Sequence, residues 1–216
     1  MPDAWESVSE IAPLASLLPT QVTIGMREVE FKRERWRTKH RAKAAQYLSR
    51  HKIPVVLGPQ ATFFIIDRHH LARALREEGV IDVPISIVAD MRRLSNVEFW
   101  PELERRSWTH PFDDQGERRS YADMPKSLDD LIDDPFRSLA GAVKRAGGYT
   151  KDNAPFSEFR WTDFFRIFID RDLVERNFDE AVTLAMKFAR SPSAASLPGW
   201  YRPALAANFE MQTHPL

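Results

Sequence analysis

The tetrad Asp67-Arg68-His69-His70 places a carboxylate, a guanidinium and two imidazoles at adjacent positions. Four apolar residues, 63–66, precede it, and a helical pattern follows as far as Leu75. A strand that ends at an aspartate and turns directly into a helix brings polar side chains and the free N–H groups of the helix N-terminus to one point. Such a corner is suited to anion binding or to proton transfer.

Three interpretations of the corner are open. In the first, Asp67 caps the helix and the histidines are ordinary first-turn residues. In the second, His69 and His70 bind a metal with Asp67, although adjacent helical positions diverge by about 100° and do not easily share one ion. In the third, the helix N-terminus and both histidines bind a phosphate, Arg73 adds charge, and Asp67 deprotonates or orients a hydroxyl or helps to hold Mg²⁺. We favour the third because it uses every residue of the corner.

The elements that must position this corner form a β-β-α-β unit over residues 53–90. Gly58-Pro59 separates two β-rich runs as a tight hairpin turn does. A helix is predicted from His69 to about Glu78, with Gly79 at the position that a C-terminal glycine takes. The run VPISIVAD supplies the next strand. The corner therefore lies at the junction of a strand and a helix.

The segments outside this unit are mostly helical. Residues 20–25 predict a short strand, and residues 27–52 carry ten Lys/Arg against three Glu, with a basic helix expected in their latter part. That basic stretch is either a solvated helix face or an anion-binding face. The remaining predicted elements are a short helix near 97–106 interrupted by Pro101, two short helices between 127 and 147 of which the second starts near Pro135, an aromatic-rich helix within 155–170, and a last helix over 178–190.

Two further groups of residues are candidates for ligand binding. Arg137 and Lys144 share one face of a short helix, and they either form part of a site or balance nearby aspartates in solvent. Glu158 and Trp161 are helical neighbours that could floor a pocket, with core packing as the alternative. His40, His51 and His110 have no partner at metal-ligand spacing. They are interpreted as surface residues without an assigned function.

Bulk properties exclude several classes of function. The chain has 216 residues, a formal net charge of zero and no cysteine. Disulfides, thiolate metal sites and thiol catalysis are therefore excluded. The N-terminus lacks a basic segment followed by an apolar run, and no apolar run approaches a membrane span, so we expect a cytoplasmic protein with no membrane partner.

The segments FIIDRHHLARAL, PVVLGP and LPTQVTIGMREV together resemble the ParB/sulfiredoxin superfamily, and most of all its ParB-like nuclease branch. The resemblance continues through Phe99-Trp100, DDPFRSLAGAVKRAGGY and PFSEFRWTDFFR, and covers roughly residues 11–190. It implies an α+β fold with a small mixed sheet. We expect this domain over residues 11–112, a helical extension packed on it over 113–190, and a tail over 191–216.

The resemblance separates several activities. Sulfiredoxins use a cysteine in this corner, and this chain has no cysteine. Chromosome-partitioning ParB proteins have a different corner, which binds CTP, followed by a helix-turn-helix domain. No helix-turn-helix pattern is evident in this sequence. The corner is similar to that of a free-serine kinase of this fold at Asp67, His69 and His70. Arg68 stands in place of a glycine there, which narrows the space for a phosphate or adds charge to it. The resemblance also implies a catalytic role for Glu28.

We therefore expect phosphoryl chemistry on a small phosphorylated ligand or nucleotide, with Mg²⁺ as a cofactor at Asp67. The acceptor is either a small-molecule hydroxyl or water. The alternatives are a ParB-like nuclease acting on DNA and a noncatalytic nucleotide-binding or interaction module. A pocket with room for two substrates favours an enzyme, whereas a shallow site favours the module. The expected catalytic residues are Asp67, His69, His70 and Glu28, and the expected ligand-binding residues are Arg68, Arg73, Gln21, Arg137, Lys144, Glu158 and Trp161.

Overall fold

The computed structural model describes residues 8–38, 41–152 and 156–201. Its strands are β1 (Val8–Pro13), β2 (Leu17–Pro19), β3 (Thr23–Ile24), β4 (Ile53–Leu57), β5 (Phe63–Ile65), β6 (Asp82–Asp90) and β7 (Ile132–Asp133). Its α-helices are α1 (Met26–Arg37), α2 (Arg41–Arg50), α3 (His69–Glu77), α4 (Asn96–Arg105), α5 (Pro135–Arg145), α6 (Ser157–Phe168), α7 (Arg171–Arg176) and α8 (Phe178–Ala189). Within the described ranges, no helix is long and apolar enough to cross a membrane.

A five-stranded mixed sheet in the order β1-β6-β4-β5-β2 forms the centre of the α+β fold, which confirms the predicted class. β4 pairs antiparallel with β5 and parallel with β6. The predicted hairpin forms because Gly58 lets the chain turn close to the sheet: its N–H donates to the Thr62 carbonyl at 2.8 Å. A Cβ at this position would lie 2.7 Å from the Phe64 ring.

Helix α3 follows β5 after three residues and covers the sheet with one apolar face. Leu71, Ala72 and Leu75 on this face are buried in the main core. Gly79 follows the helix at φ 72°, a left-handed conformation that glycine adopts without strain, as predicted. The β-β-α-β unit expected over residues 53–90 is confirmed.

Other elements differ from their sequence predictions. β1, β2, β7 and α7 were not predicted, and the first of the two helices expected after residue 127 is a single 3₁₀ turn, Leu128–Asp130. The helix near 97–106 is not interrupted, because α4 continues through Pro101. A capping box of Ser95 and Glu98 stabilises its start, and the Val97 carbonyl that the proline leaves unpaired belongs to a residue 83% exposed to solvent.

The second half of the chain builds its own apolar cluster from α5, α6, α7 and α8. Helix α5 packs against α1, and β7 pairs in parallel with β3, so this half adjoins the sheet domain. The Trp161 indole N–H donates to the Pro198 carbonyl at 2.8 Å, which holds part of the expected tail against α6. Residues 202–216 of that tail, and His40, lie outside the described residues. The domain boundary at residue 112 stays a prediction.

Candidate functional site

A cavity of about 550 Å³ opens beside the N-terminus of α3. Its wall includes the whole corner from Asp67 to His70, and it also receives residues from α1, α2, α5 and α6 and from the segment 107–110. Of the residues predicted for the site, the ones that line the cavity are Gln21, Glu28, Asp67, Arg68, His69, His70, Arg137, Lys144 and Glu158. Positions more than 100 residues apart in sequence therefore share one wall.

Arg68 gives the corner its shape. It is the residue before α3 and adopts φ 65°, ψ 27°, the left-handed conformation that glycine takes most easily. Its guanidinium donates to the Lys52 carbonyl at 2.6 Å, and its N–H donates to the exposed Asp67 carboxylate at 2.7 Å. The Asp67 carboxylate therefore accepts a hydrogen bond from the residue before the helix and from no N–H of α3 itself. This geometry argues against the interpretation that Asp67 caps the helix.

The strain at Arg68 makes a testable prediction. Arg68→Gly and Arg68→Ala both lose the bond to Lys52, but only glycine adopts this conformation without a steric cost of about 1 kcal/mol. We expect Arg68→Gly to be more stable than Arg68→Ala by about 1 kcal/mol in urea unfolding. At a position without left-handed backbone, the alanine variant would be at least as stable as the glycine variant. If Arg68→Ala proved equal to or more stable than Arg68→Gly, residue 68 would not adopt the left-handed conformation.

The two histidines hold the N-terminal segment onto the corner. Nε2 of His69 accepts the Thr20 N–H at 3.2 Å, and Nε2 of His70 accepts the Gly25 N–H at 3.2 Å. Burial lowers the pKa of His69 to about 3, with the Arg137 charge as the second cause, and lowers that of His70 well below its usual value. Both rings are therefore neutral, and in each the nitrogen left to carry a proton is Nδ1. The expected donation from the histidines to a phosphate is therefore not available from Nε2 of either ring in this arrangement.

Arg137 is the most unusual charge in the cavity. It is only 5% exposed, and its guanidinium lies 3.6 Å from the centroid of the Phe159 ring. Its Nη1 is buried and has no acceptor among the described residues. Burial lowers its pKa to about 10. A guanidinium desolvated in this way without an ion-pair partner is costly, and an anion in the cavity would offset that cost.

Two half-buried lysines extend the positive charge around Arg137. Lys144 is ion-paired with Glu158, and burial, together with the neighbouring Lys32 charge, lowers its pKa to about 8. Lys32 lies 3.3 Å from Glu28, and burial lowers its pKa as well. The carboxylate of Asp67 is close enough to oppose both pKa shifts. Glu28 is also ion-paired with Arg145, which leaves it ill-suited to act as a free base.

Two predicted ligand-binding residues do not line the cavity. Arg73 donates to Glu77 at 2.8 Å and to the Leu128 carbonyl at 2.6 Å, so its charge is used within the fold. Trp161 is fully buried and stacks on Tyr149 at 4.2 Å, in agreement with the core-packing alternative. Arg73 and Trp161 are therefore not positioned to contact a ligand in the cavity, and their interpretation as ligand-binding residues is corrected.

His110 is a site residue that sequence reasoning missed, and its interpretation as a surface residue is wrong. The ring lines the cavity and lies 3.5 Å from the centroid of Phe159. Its Nδ1 is buried without a partner in the described ranges, and burial lowers its pKa to about 3. His51 also lines the cavity, stacked on Tyr47 at 4.0 Å. No local pattern marks His110, because the bridge that places it pairs it with Gln21, a residue far away in the sequence.

The cavity does not provide a ready cation site. Among the described residues, no group of three or more histidine and acidic side chains converges as metal ligands do. Glu28 and Glu158 are ion-paired with basic residues, which leaves Asp67 as a lone carboxylate at the corner. Mg²⁺ usually needs one or two carboxylates together with phosphate oxygens. A magnesium ion bound by side chains alone does not fit these residues, because Mg²⁺ held by a single carboxylate depends on the phosphate oxygens of a ligand.

Comparisons with known proteins extend over most of the chain. A crystal structure of protein Atu1540 from Agrobacterium tumefaciens is similar, with 48% identity, a TM-score of 0.85, and coverage of 91% of this chain and 98% of that one. The C-terminally truncated chromosome-partitioning protein ParB from Caulobacter crescentus, complexed with CTP-gamma-S, matches at 14% identity and a TM-score of 0.29, over 84% of this chain and 97% of that chain. No curated protein matches. The family model described as "Putative ParB-like nuclease" matches residues 11–167, and the chain belongs to that family.

Proposed function

We propose that the cavity binds the phosphate group of a small ligand and catalyses phosphoryl transfer at the Asp67 corner. One observation carries this proposal: the buried Arg137 guanidinium lines the cavity with Nη1 unpaired among the described residues. A buried cation of this kind is suited to a bidentate phosphate contact. Lys32 and Lys144 supply further donors on the same wall.

The roles of the other residues follow from their surroundings. Asp67 is exposed at the cavity and has no ion-pair partner among the described residues. It would accept the proton of the attacking hydroxyl or water as the new phosphorus–oxygen bond forms and the bond to the leaving oxygen breaks. Lys144, with its pKa near 8, can return a proton to the leaving oxygen. His69 and His70 act as neutral supports of the wall.

Asp67→Asn tests the catalytic step. Asparagine keeps the oxygen that accepts the Arg68 N–H but cannot take up a proton, so the fold and ligand affinity should stay close to wild type. We expect the rate of phosphate release to fall by about 100-fold or more. Release would be measured over a panel of phosphomonoesters and nucleotides, with Kd determined in parallel. Full activity in the folded variant would exclude Asp67 as the base.

DNA cleavage is the second candidate, because the family description names a nuclease. The basic segment 27–52 offers limited support for it. Arg33 and Arg37 are ion-paired with Glu78 and other acids, and Lys32 lies in the cavity beside Glu28, so the charges of these three residues are largely compensated. Phosphate contacts provide most nonspecific DNA affinity, which calls for unpaired basic surface. The nuclease would be favoured if the protein cleaves DNA with Mg²⁺ or Mn²⁺ and the Asp67→Asn variant does not. Ligand binding without any turnover would instead favour the noncatalytic module.

A further inference from the structure

The charges around the cavity limit the ligand that it can accept. The basic side chains of the lining are Lys32, Arg68, Arg137, Lys144 and Lys151, and the acidic ones are Glu28, Asp67, Asp152 and Glu158. Five positive and four negative charges leave a net charge of +1. His69 and His110 add nothing to this at neutral pH, because burial keeps the pKa of each at about 3.

A small positive charge suits a small anion. A phosphomonoester carries roughly two negative charges at neutral pH, and each further phosphate adds about one more. Proteins that bind triphosphates commonly neutralise them with a bound divalent cation as well as basic side chains. The described residues provide no cluster of acidic or histidine ligands for such a cation. A triphosphate would therefore place several uncompensated negative charges beside the carboxylates of Asp67 and Glu158.

Planar rings form much of the remaining lining. Tyr47 and His51 come from α2 and the segment after it, Trp108 and His110 from the segment before residue 111, and Phe156 and Phe159 from the start of α6, all of them cavity-lining residues. A volume of about 550 Å³ lies within the range in which pockets enclose a complete small ligand. The cavity therefore has room for one phosphate and a ring that packs among side-chain rings.

We infer that the ligand is a ring-bearing phosphomonoester, such as a nucleoside monophosphate, and that the site discriminates against the corresponding triphosphate. This inference rests on the proposed phosphate-binding function and names its ligand class. The single phosphate is bound at Arg137 and Lys144, and the ring packs among the aromatic side chains. Binding requires no divalent cation.

Isothermal titration calorimetry on the full chain tests this inference at constant ionic strength. The probes are AMP, ADP, ATP, CMP and CTP, each with and without Mg²⁺, together with adenosine, ribose 5-phosphate and inorganic phosphate. We expect each monophosphate to bind at least 10-fold more tightly than its triphosphate, with a change of less than about 3-fold on adding Mg²⁺. Ribose 5-phosphate should bind at least 10-fold more weakly than AMP, because it lacks the planar base that would pack among the aromatic side chains.

Two variants show whether binding occurs in this cavity. Arg137→Met should weaken monophosphate binding at least about 30-fold, whereas Arg76→Gln, which alters an exposed arginine of α3 outside the cavity, should not. Tighter binding of a triphosphate, or binding that depends on Mg²⁺, would overturn the monophosphate inference and leave the proposed function standing. If no phosphorylated probe binds, the proposed function fails together with the inference.

Discussion

Arg137→Met is expected to weaken phosphate binding strongly and, at the same time, to stabilise the free protein. Loss of a buried charge that contacts an anion costs about 2–5 kcal/mol of binding, or at least about 30-fold in Kd. The pKa of Arg137 is lowered to about 10 in the fold, so the folded protein holds this proton less tightly than the unfolded chain does. The charged form therefore opposes folding at neutral pH by roughly 3 kcal/mol.

Methionine removes that penalty but loses the contact of the guanidinium with Phe159, which is worth about 1–2 kcal/mol when desolvated. We expect a net rise of about 1–2 kcal/mol in the free energy of unfolding, measured in urea without phosphate. Arg166→Met is the matched control. Its guanidinium donates to the buried Asp134 carboxylate at 2.7 Å, so its loss should destabilise the protein by about 3 kcal/mol. A similar loss in both variants would show that Arg137 has a structural partner.

The second large effect is a loss of stability in mild acid. His69 has a pKa of about 3 in the folded protein against 6.5 in the unfolded chain, so between these values the unfolded chain binds more protons. Stability is therefore complete above about pH 6.5 and falls as the pH falls toward 3. From pH 7 to pH 5 His69 alone should account for about 2 kcal/mol. The lowered pKa values of His70 and His110 act in the same direction.

His69→Gln isolates this contribution. Glutamine does not titrate, and its side-chain oxygen can accept the Thr20 N–H that His69 accepts in the native protein. We expect the loss of stability between pH 7 and pH 5 to be about 2 kcal/mol smaller in the variant, measured by urea unfolding followed by tryptophan fluorescence. Equal losses in the two proteins would mean that His69 is not held neutral by the fold.

Local sequence patterns were sufficient for the β-β-α-β unit and for the place of its polar corner. The alternation of the strands, the apolar face of α3 and the glycine at position 79 are signals between residues that are close in the chain, and each was confirmed. The family resemblance was confirmed by the match over residues 11–167. That the corner from Asp67 to His70 lies between strand and helix was therefore determined by the sequence alone.

Tertiary contacts decided which charges face the cavity. Arg73 and Arg137 are both helical arginines, yet Glu77 and the Leu128 carbonyl hold the first within the fold, while the second lines the cavity beside Phe159. His110 reaches the same wall because its backbone N–H donates to the Thr20 carbonyl at 2.9 Å. Partners so far apart in sequence leave no periodic signal, because helix and strand patterns record only which face is buried and not what it is buried against.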